Sequence, residues 1–201
     1  MFYSLTGKLV HMEPGVVAIE CGGVAFKCFT SMNTQKNMPR IGETATVYTH
    51  LNVREDALDL YGFSTKSELN CYKMLTTISG VGPKAALSIL SEMTPEGVAM
   101  AAASGDSKKF TKASGVGPKL AQRIVLELKD KISKEPLPQP DGSNEPVSRT
   151  AQGSVAEALS ALLVLGYTQG EVTPILATLD DQLPAAELIK QTLRTIGNRK
   201  K

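Results

Sequence analysis

Ser79-Gly80-Val81-Gly82-Pro83-Lys84 occurs twice in this chain, returning thirty-five residues on as Ser114-Gly115-Val116-Gly117-Pro118-Lys119. Apolar side chains at helical spacing follow each copy: Ala85, Ala86, Leu87, Ile89 and Leu90 after the first, Leu120, Ala121, Ile124, Val125 and Leu128 after the second. A run that reads as helix precedes each, from Leu69 to Ile78 and from about Met100 to Ala113. The unit is therefore helix, glycine turn, helix. Glycine admits positive φ and close backbone approach, and Pro83 and Pro118 suit the first helical position, which needs no N–H. The second helix of each unit then opens with unpaired N–H groups and a positive dipole end beside the turn, a combination that binds phosphate oxygens. Lys84 and Lys119 add a charge one residue on. Nothing in the turn reaches a base edge, so the contact is sequence-independent. The candidate phosphate ligands are Ser79, Gly80, Val81, Gly82 and Lys84, then Ser114, Gly115, Val116, Gly117 and Lys119, with Arg123 on the following helix. A single Gly-x-Gly is better explained by a turn between packed helices; the repeat, with Pro and Lys in the same places, reverses that and favours phosphate.

The tandem turns resemble the helix-hairpin-helix module of DNA-binding proteins. Charge supports that placement. Residues 65–133 carry 10 basic and 6 acidic side chains, net +4, whereas 1–64 carry 5 and 6 and 134–201 carry 7 and 8, each net −1. With 5% aromatics and no Trp, base stacking is not expected to dominate any nucleic-acid contact. Cys21, Cys28 and Cys71 are odd in number, lack metal spacing and read as reduced, partly buried thiols of a cytoplasmic protein. The opening Met1-Phe2-Tyr3-Ser4-Leu5-Thr6-Gly7-Lys8 lacks a signal-peptide pattern, and no apolar run has membrane-spanning length, so no membrane is expected.

The fold class is α+β with several domains. Residues 1–64 alternate short strands with turn signals: Phe2–Val10, Val16–Cys21, Val24–Phe29, Thr44–Leu51 and Leu58–Phe63. Glu13-Pro14-Gly15 and Cys21-Gly22-Gly23 are turns, and the link from Thr30 to Gly42 has room for a helical turn. Five strands in so short a span favour a closed barrel of the oligonucleotide-binding (OB) type, since closure removes edges. Between the last two strands, Glu55 and Asp56 are adjacent carboxylates at a hairpin tip. A solvated turn explains them; a metal site lacks further ligands. A repulsive element pushing phosphates away makes sense only if the tip faces DNA.

Residues 65–133 form the tandem hairpin domain, with Ser64 or Ser67 capping its first helix and Thr94-Pro95-Glu96 opening another. Residues 134–153 hold Pro136, Pro138, Pro140 and Pro146 with almost no large apolar side chain and read as a flexible linker. Residues 154–201 read as three short helices. Val155, Leu159, Leu162 and Leu163 share a face capped by Ser154 and ended at Gly166. Thr173-Pro174 starts the middle helix, because Pro sits poorly inside one. Leu188, Ile189, Leu193 and Ile196 form the last face. So small a module is marginal alone, and its tether suggests docking to a partner protein; a stabilising tail on the main body is the alternative.

The whole order of parts resembles the RuvA family, the junction-binding subunits of the bacterial Holliday-junction branch migration machine. The residues that carry the match are Val53-Arg54-Glu55-Asp56-Ala57 with Leu60-Tyr61-Gly62-Phe63, the two glycine turns, Ala121 to Asp130, and Ala158-Leu159-Ser160-Ala161-Leu162 with Leu165-Gly166-Tyr167. The resemblance implies a flat homotetramer, on DNA an octamer if two clasp it, that binds a four-way junction open and square. It implies that Glu55 and Asp56 form a central acidic pin and that the hairpins contact phosphates along the arms. It implies a C-terminal, UBA-like three-helix domain engaging the hexameric ATPase RuvB through Leu159, Leu162, Leu163, Gly166, Tyr167 and Leu188, with the resolvase RuvC as a further partner. Pro174 and Gly97 depart from a smooth match, the first within the middle helix, the second early in a helix between the hairpins.

Two other readings compete. A helix-hairpin-helix glycosylase wants a catalytic Lys or Asp in a pocket beyond the hairpin, whereas Lys84 and Lys119 sit at the turn itself; a nuclease wants several carboxylates for Mg²⁺, and Glu55, Asp56 and Asp59 are the only dense group. A single-strand-binding barrel using Phe26, Phe29 and Tyr48 is disfavoured by the barrel's negative charge. No Gly-x-x-x-x-Gly-Lys-Ser/Thr loop occurs, so ATP hydrolysis is expected of a partner. His11 and His50 receive no chemical role, and no catalytic residue, metal or cofactor is assigned.

Overall fold

The structure, a computed structural model, describes residues 2–134, 152–165 and 167–199. Five strands, β1 (Ser4–Glu13), β2 (Val16–Cys21), β3 (Val24–Phe29), β4 (Thr44–Val53) and β5 (Leu58–Phe63), close into a barrel in the order β1-β2-β3-β5-β4. This is the OB-type barrel expected, with β1 shifted toward its turn and both β1 and β4 longer than expected. Alternation decides the interior: Leu5, Leu9, Val17, Ile19, Cys28, Ala45, Val47 and Leu60 make one core. The Cys28 thiol is pushed up to about 12 by burial and by Cys21. Cys21↔Val24 closes a two-residue hairpin in which Gly22 (φ +60°) and Gly23 (φ +87°) supply the left-handed pair that such a turn needs. At Gly7 a Cβ would lie 2.0 Å from the Glu20 carbonyl oxygen, so only glycine lets β1 approach β2 there.

Helix α1 (Met32–Lys36) fills the long β3–β4 link and is capped by Ser31. Helix α2 (Lys66–Thr76) follows the barrel. Its cap is neither Ser64 nor Ser67 but Thr65, whose hydroxyl accepts from the Glu68 amide at 3.1 Å. Ser67 is inside the helix, its hydroxyl among the buried atoms without a hydrogen-bond partner. The buried Glu68 carboxylate accepts from the hydroxyls of Ser31 and Thr34, joining α1 to α2. Tyr72 of α2 packs against His50, Tyr61 and Phe63 at ring-centroid distances of 5.7, 5.1 and 5.0 Å. Those rings fix α2 on β4 and β5. Helix α3 (Pro83–Glu92) comes after the first glycine turn, and Asn33 reaches from α1 to the Leu90 carbonyl oxygen at 2.6 Å. Residues 1–95 with 112–116 make one compact unit.

The second unit comprises residues 96–111 and 117–201. It holds α4 (Pro95–Ser104) from Glu96 onward, the four-residue α5 (Ser107–Phe110) and α6 (Pro118–Lys134). The run expected as one helix from Met100 to Ala113 is thus two, broken at Gly105 (φ +74°). The C-terminal module is α7 (Gln152–Val164), α8 (Gln169–Leu176) and α9 (Ala185–Arg199). Ser154 is not a cap, because α7 already begins at Gln152. Nor does Thr173-Pro174 start the middle helix. A reciprocal box, in which the Thr168 side chain accepts from the Glu171 amide and the Glu171 carboxylate accepts from the Thr168 amide at 3.0 Å, nucleates α8 five residues earlier and leaves Pro174 inside it. Val172, Ile175, Leu176, Leu162, Leu188 and Ile189 close the module's core. Most of the expected 134–153 linker, residues 135–151, lies outside the described residues, as does Gly166. Among the described residues no helix is long and apolar enough to cross a membrane.

Candidate nucleic-acid interface

The two glycine turns are built alike, bond for bond. Gly80 takes φ +89° and Gly115 φ +81°, values that favour glycine. The Val81 amide returns to the Ile78 carbonyl oxygen at 3.0 Å and the Val116 amide to that of Ala113 at 3.1 Å. The two valines are 4% and 5% exposed, so each turn is pinned down by one apolar side chain. The next helix then starts with Ala86 bonding Gly82 at 3.0 Å and Ala121 bonding Gly117 at 2.9 Å. The amides of residues 84–85 and 119–120 precede that first bond and have no helical acceptor.

Ser79, Gly80, Gly82 and Lys84 are exposed, as are Ser114, Gly115, Gly117, Lys119 and Arg123. A Cβ added at Gly82 or Gly117 would meet nothing within 4 Å. Their lack of a side chain is therefore not a packing requirement of the chain; it keeps the approach to the helix N-terminus open. Val81 and Val116 differ from the rest of the expected ligand set: their side chains face inward and their amides are already engaged, so they hold the turn. Arg123 is one helical turn beyond Lys119 and on the same face.

The acidic pair is carried by a different device. The β1–β4 ladder runs from Thr44 to Tyr48, with one further backbone bond from the Thr49 amide to the Tyr3 carbonyl oxygen at 3.0 Å, and β3 pairs with β5 only at Phe29↔Tyr61. Beyond His50↔Tyr61, β4 and β5 pair only with each other, through Leu51↔Leu60, Asn52↔Asp59 and Val53↔Leu58. Leu60 still lies in the core, so the last two pairs make a free ribbon roughly 7 Å long. Arg54 and Ala57 close its tip, amide to carbonyl at 2.8 and 3.4 Å, leaving Glu55 and Asp56 as the two exposed loop residues. Arg54 is bound to Asp59 at 2.7 Å. That pair ties Asp59 to a cation and partly neutralises Arg54, whose side chain stays 56% exposed. The aromatic cluster of His50, Tyr61 and Tyr72 grips the ribbon at its base, so the same rings that hold α2 also aim the tip; sequence reading gave them no such role.

In the C-terminal module, Leu162 and Leu188 are fully buried and hold its helices together. Leu159 and Leu163 are half-buried and remain partly open to a partner. Tyr167 ends the first helix with its amide on the Leu162 carbonyl oxygen at 3.1 Å, and its hydroxyl donates to Glu96 at 2.6 Å. Sequence reading gave Glu96 only a place at a helix start; burial and this carboxylate push the Tyr167 hydroxyl well above its usual range.

A closed five-stranded barrel with a projecting acidic ribbon and two open, glycine-lined helix N-termini defines a class: proteins that hold nucleic-acid backbones without reading sequence. Comparison with known proteins narrows it. Residues 1–62 match the RuvA N terminal domain, 72–130 the SAM-like helix-hairpin-helix tandem and 154–197 the RuvA C-terminal domain. Proteins described as Holliday junction branch migration complex subunit RuvA are similar along nearly the whole chain. That of Ruminiclostridium cellulolyticum is 42% identical, covering 98% of this chain and 100% of the relative. That of Acetivibrio thermocellus is 43% identical, covering 98% and 99%, and one from Clostridium perfringens is 41% identical over the same shares. The chain belongs to the RuvA family.

Proposed function

We propose that this protein is the junction-binding subunit of a RuvAB branch migration complex, acting in homologous recombination and DNA repair. It binds four-way junction DNA without sequence preference, holds it open and square, and loads and stimulates RuvB. It is not the catalytic subunit; ATP hydrolysis is RuvB's. The observation that carries this reading is the replicated turn: two identical N-terminal cradles whose open glycines serve no packing need of the chain.

In this reading the exposed turn residues Ser79, Gly80, Gly82, Lys84, Ser114, Gly115, Gly117 and Lys119, with Arg123, contact phosphates, and Val81 and Val116 seat the turns. Glu55 and Asp56 gather at the hub of a cytoplasmic homotetramer, where repulsion keeps converging backbones apart. Attraction outside and repulsion at the centre let DNA slide. The barrel and ribbon (1–64) serve assembly, 65–133 binds DNA, 134–153 links, and 154–201 docks RuvB through Leu159, Leu163, Gly166 and Tyr167, with Leu162 and Leu188 shaping that face from inside. RuvC is a further partner. The test is a gel shift and native mass measurement with a synthetic four-way junction, a linear duplex and a single strand. Preferential junction binding by a tetramer, or by an octamer if a second tetramer closes over the DNA, with no strand cleavage in Mg²⁺, is expected. A monomer indifferent to branching, or cleavage, refutes the reading.

A further inference from the structure

The acidic ribbon carries two side chains to which the reading above gives no task. Val53 and Leu58 are directly paired, immediately below the Arg54–Ala57 closure, and are 66% and 72% exposed. Strand parity puts them in line with the barrel's inward stripe. Val47 and Leu60 are in the core and Leu51 packs against it. Because the ribbon overruns the barrel, the stripe continues where there is no interior to receive it. An exposed aliphatic pair of this size on a two-stranded ribbon gains nothing for the isolated chain.

What approaches the pair is limited by charge. Residues 52–60 hold one cation and three carboxylates, Arg54 against Glu55, Asp56 and Asp59, net −2. The cation is held by Asp59. A phosphate arriving here meets net repulsion, with the one guanidinium already shared with Asp59. The part of a nucleic acid that an aliphatic surface accepts is the base, and aliphatic wedges that part base steps are a recurrent device. We propose that Val53 and Leu58 form an apolar shoulder that receives unstacked nucleobases at the crossover of the junction while Glu55 and Asp56 hold the backbones off. The inference rests on the hub position given to the acidic tip under the proposed function.

The experiment uses the full-length protein at saturating concentration and a four-way junction with the fluorescent base analogue aminopurine at the crossover, whose emission rises on unstacking. The Val53→Thr/Leu58→Gln variant replaces both apolar side chains with polar ones, the first isosteric and the second one atom longer, at two exposed positions. The wild-type protein is expected to raise the emission; the variant is expected to keep native mass and junction binding but to lose that rise. An undiminished rise overturns the proposal. A lowered native mass also overturns it, since the pair would then seal one copy against another. The Glu55→Gln/Asp56→Asn variant separates the two readings. If it migrates junctions with RuvB as the wild type does, the hub reading fails. If it is impaired while the rise is indifferent to Val53 and Leu58, only the apolar shoulder fails.

Discussion

The two glycine turns share six residues and one backbone geometry, yet they are supported very differently. The first is preceded by α2, eleven residues long, capped by the Thr65 hydroxyl and anchored through Tyr72 on the barrel. The second is preceded by α5, four residues long, where Asp106 stands at the cap position without a side-chain hydrogen bond. Gly80 and Gly115 nonetheless differ by only 8° in φ, from +89° and +81°, and the turn bonds by 0.1 Å. The six residues therefore encode the cradle locally: a left-handed glycine, a valine driven inward, an open glycine and a proline that starts the next helix. The flanking helices supply rigidity and direction.

The comparison breaks first at the open glycines. A Cβ at Gly82 or Gly117 meets no atom within 4 Å, so Gly82→Leu and Gly117→Leu should each fold and lose the phosphate. Charge-assisted hydrogen bonds are worth about 1.5–3 kcal/mol, so junction affinity should fall about tenfold or more at either turn. Titration of a labelled junction checks this, and an unchanged affinity removes the cradle from the interface. Next come the left-handed glycines. Gly80→Val and Gly115→Val should each cost about 1–2 kcal/mol of stability by denaturant melt, because an L side chain is strained at positive φ. Similar costs at both sites mean that the turn is locally specified; a much smaller one at Gly115 means that the weaker flank relaxes. The caps come third: Thr65→Ala should cost about 1 kcal/mol and Asp106→Ala distinctly less.

The smallest effect is on pH. Burial, then Lys73, holds the His50 imidazole below its ordinary value. The folded state therefore binds its proton less readily than the unfolded chain. The stability this contributes is fully present above the ordinary histidine value, about 6.5, and declines as pH falls from there through the lowered value. His50→Phe, which keeps a ring beside Tyr72, should remove that part of the acid-side loss, read from melts at descending pH. An unchanged acid limb shows that His50 does not contribute.

Much of this was legible because it is short-range. Four strands begin where alternation and turn residues put them, and Cys21-Gly22-Gly23-Val24 forms the hairpin it spells. Errors arose where two local signals competed. Pro174 was read as a helix start, but the Thr168–Glu171 box satisfies two N-terminal donors and outweighs the one bond that a proline removes. Ser154 resembles a cap only if α7 is taken to begin after it. In the candidate interface, the residue types were legible but the division of labour was not. Val81 and Gly82 are neighbours in one motif; only burial shows that the first anchors and the second stays open.

By itself the sequence determined the turns, the strands and the charge surplus of 65–133, because backbone preference and side-chain periodicity act over a few residues. The tertiary structure alone decided that β4 and β5 outrun their neighbours and stand as a ribbon, that Tyr72 clamps its base, and that Val53 and Leu58 are left in solvent. Their pattern is that of core residues. Whether an apolar side chain on a strand finds an interior depends on where the other strands of the barrel stop, and that is set by pairing between segments as distant in sequence as Ser4 and Tyr48.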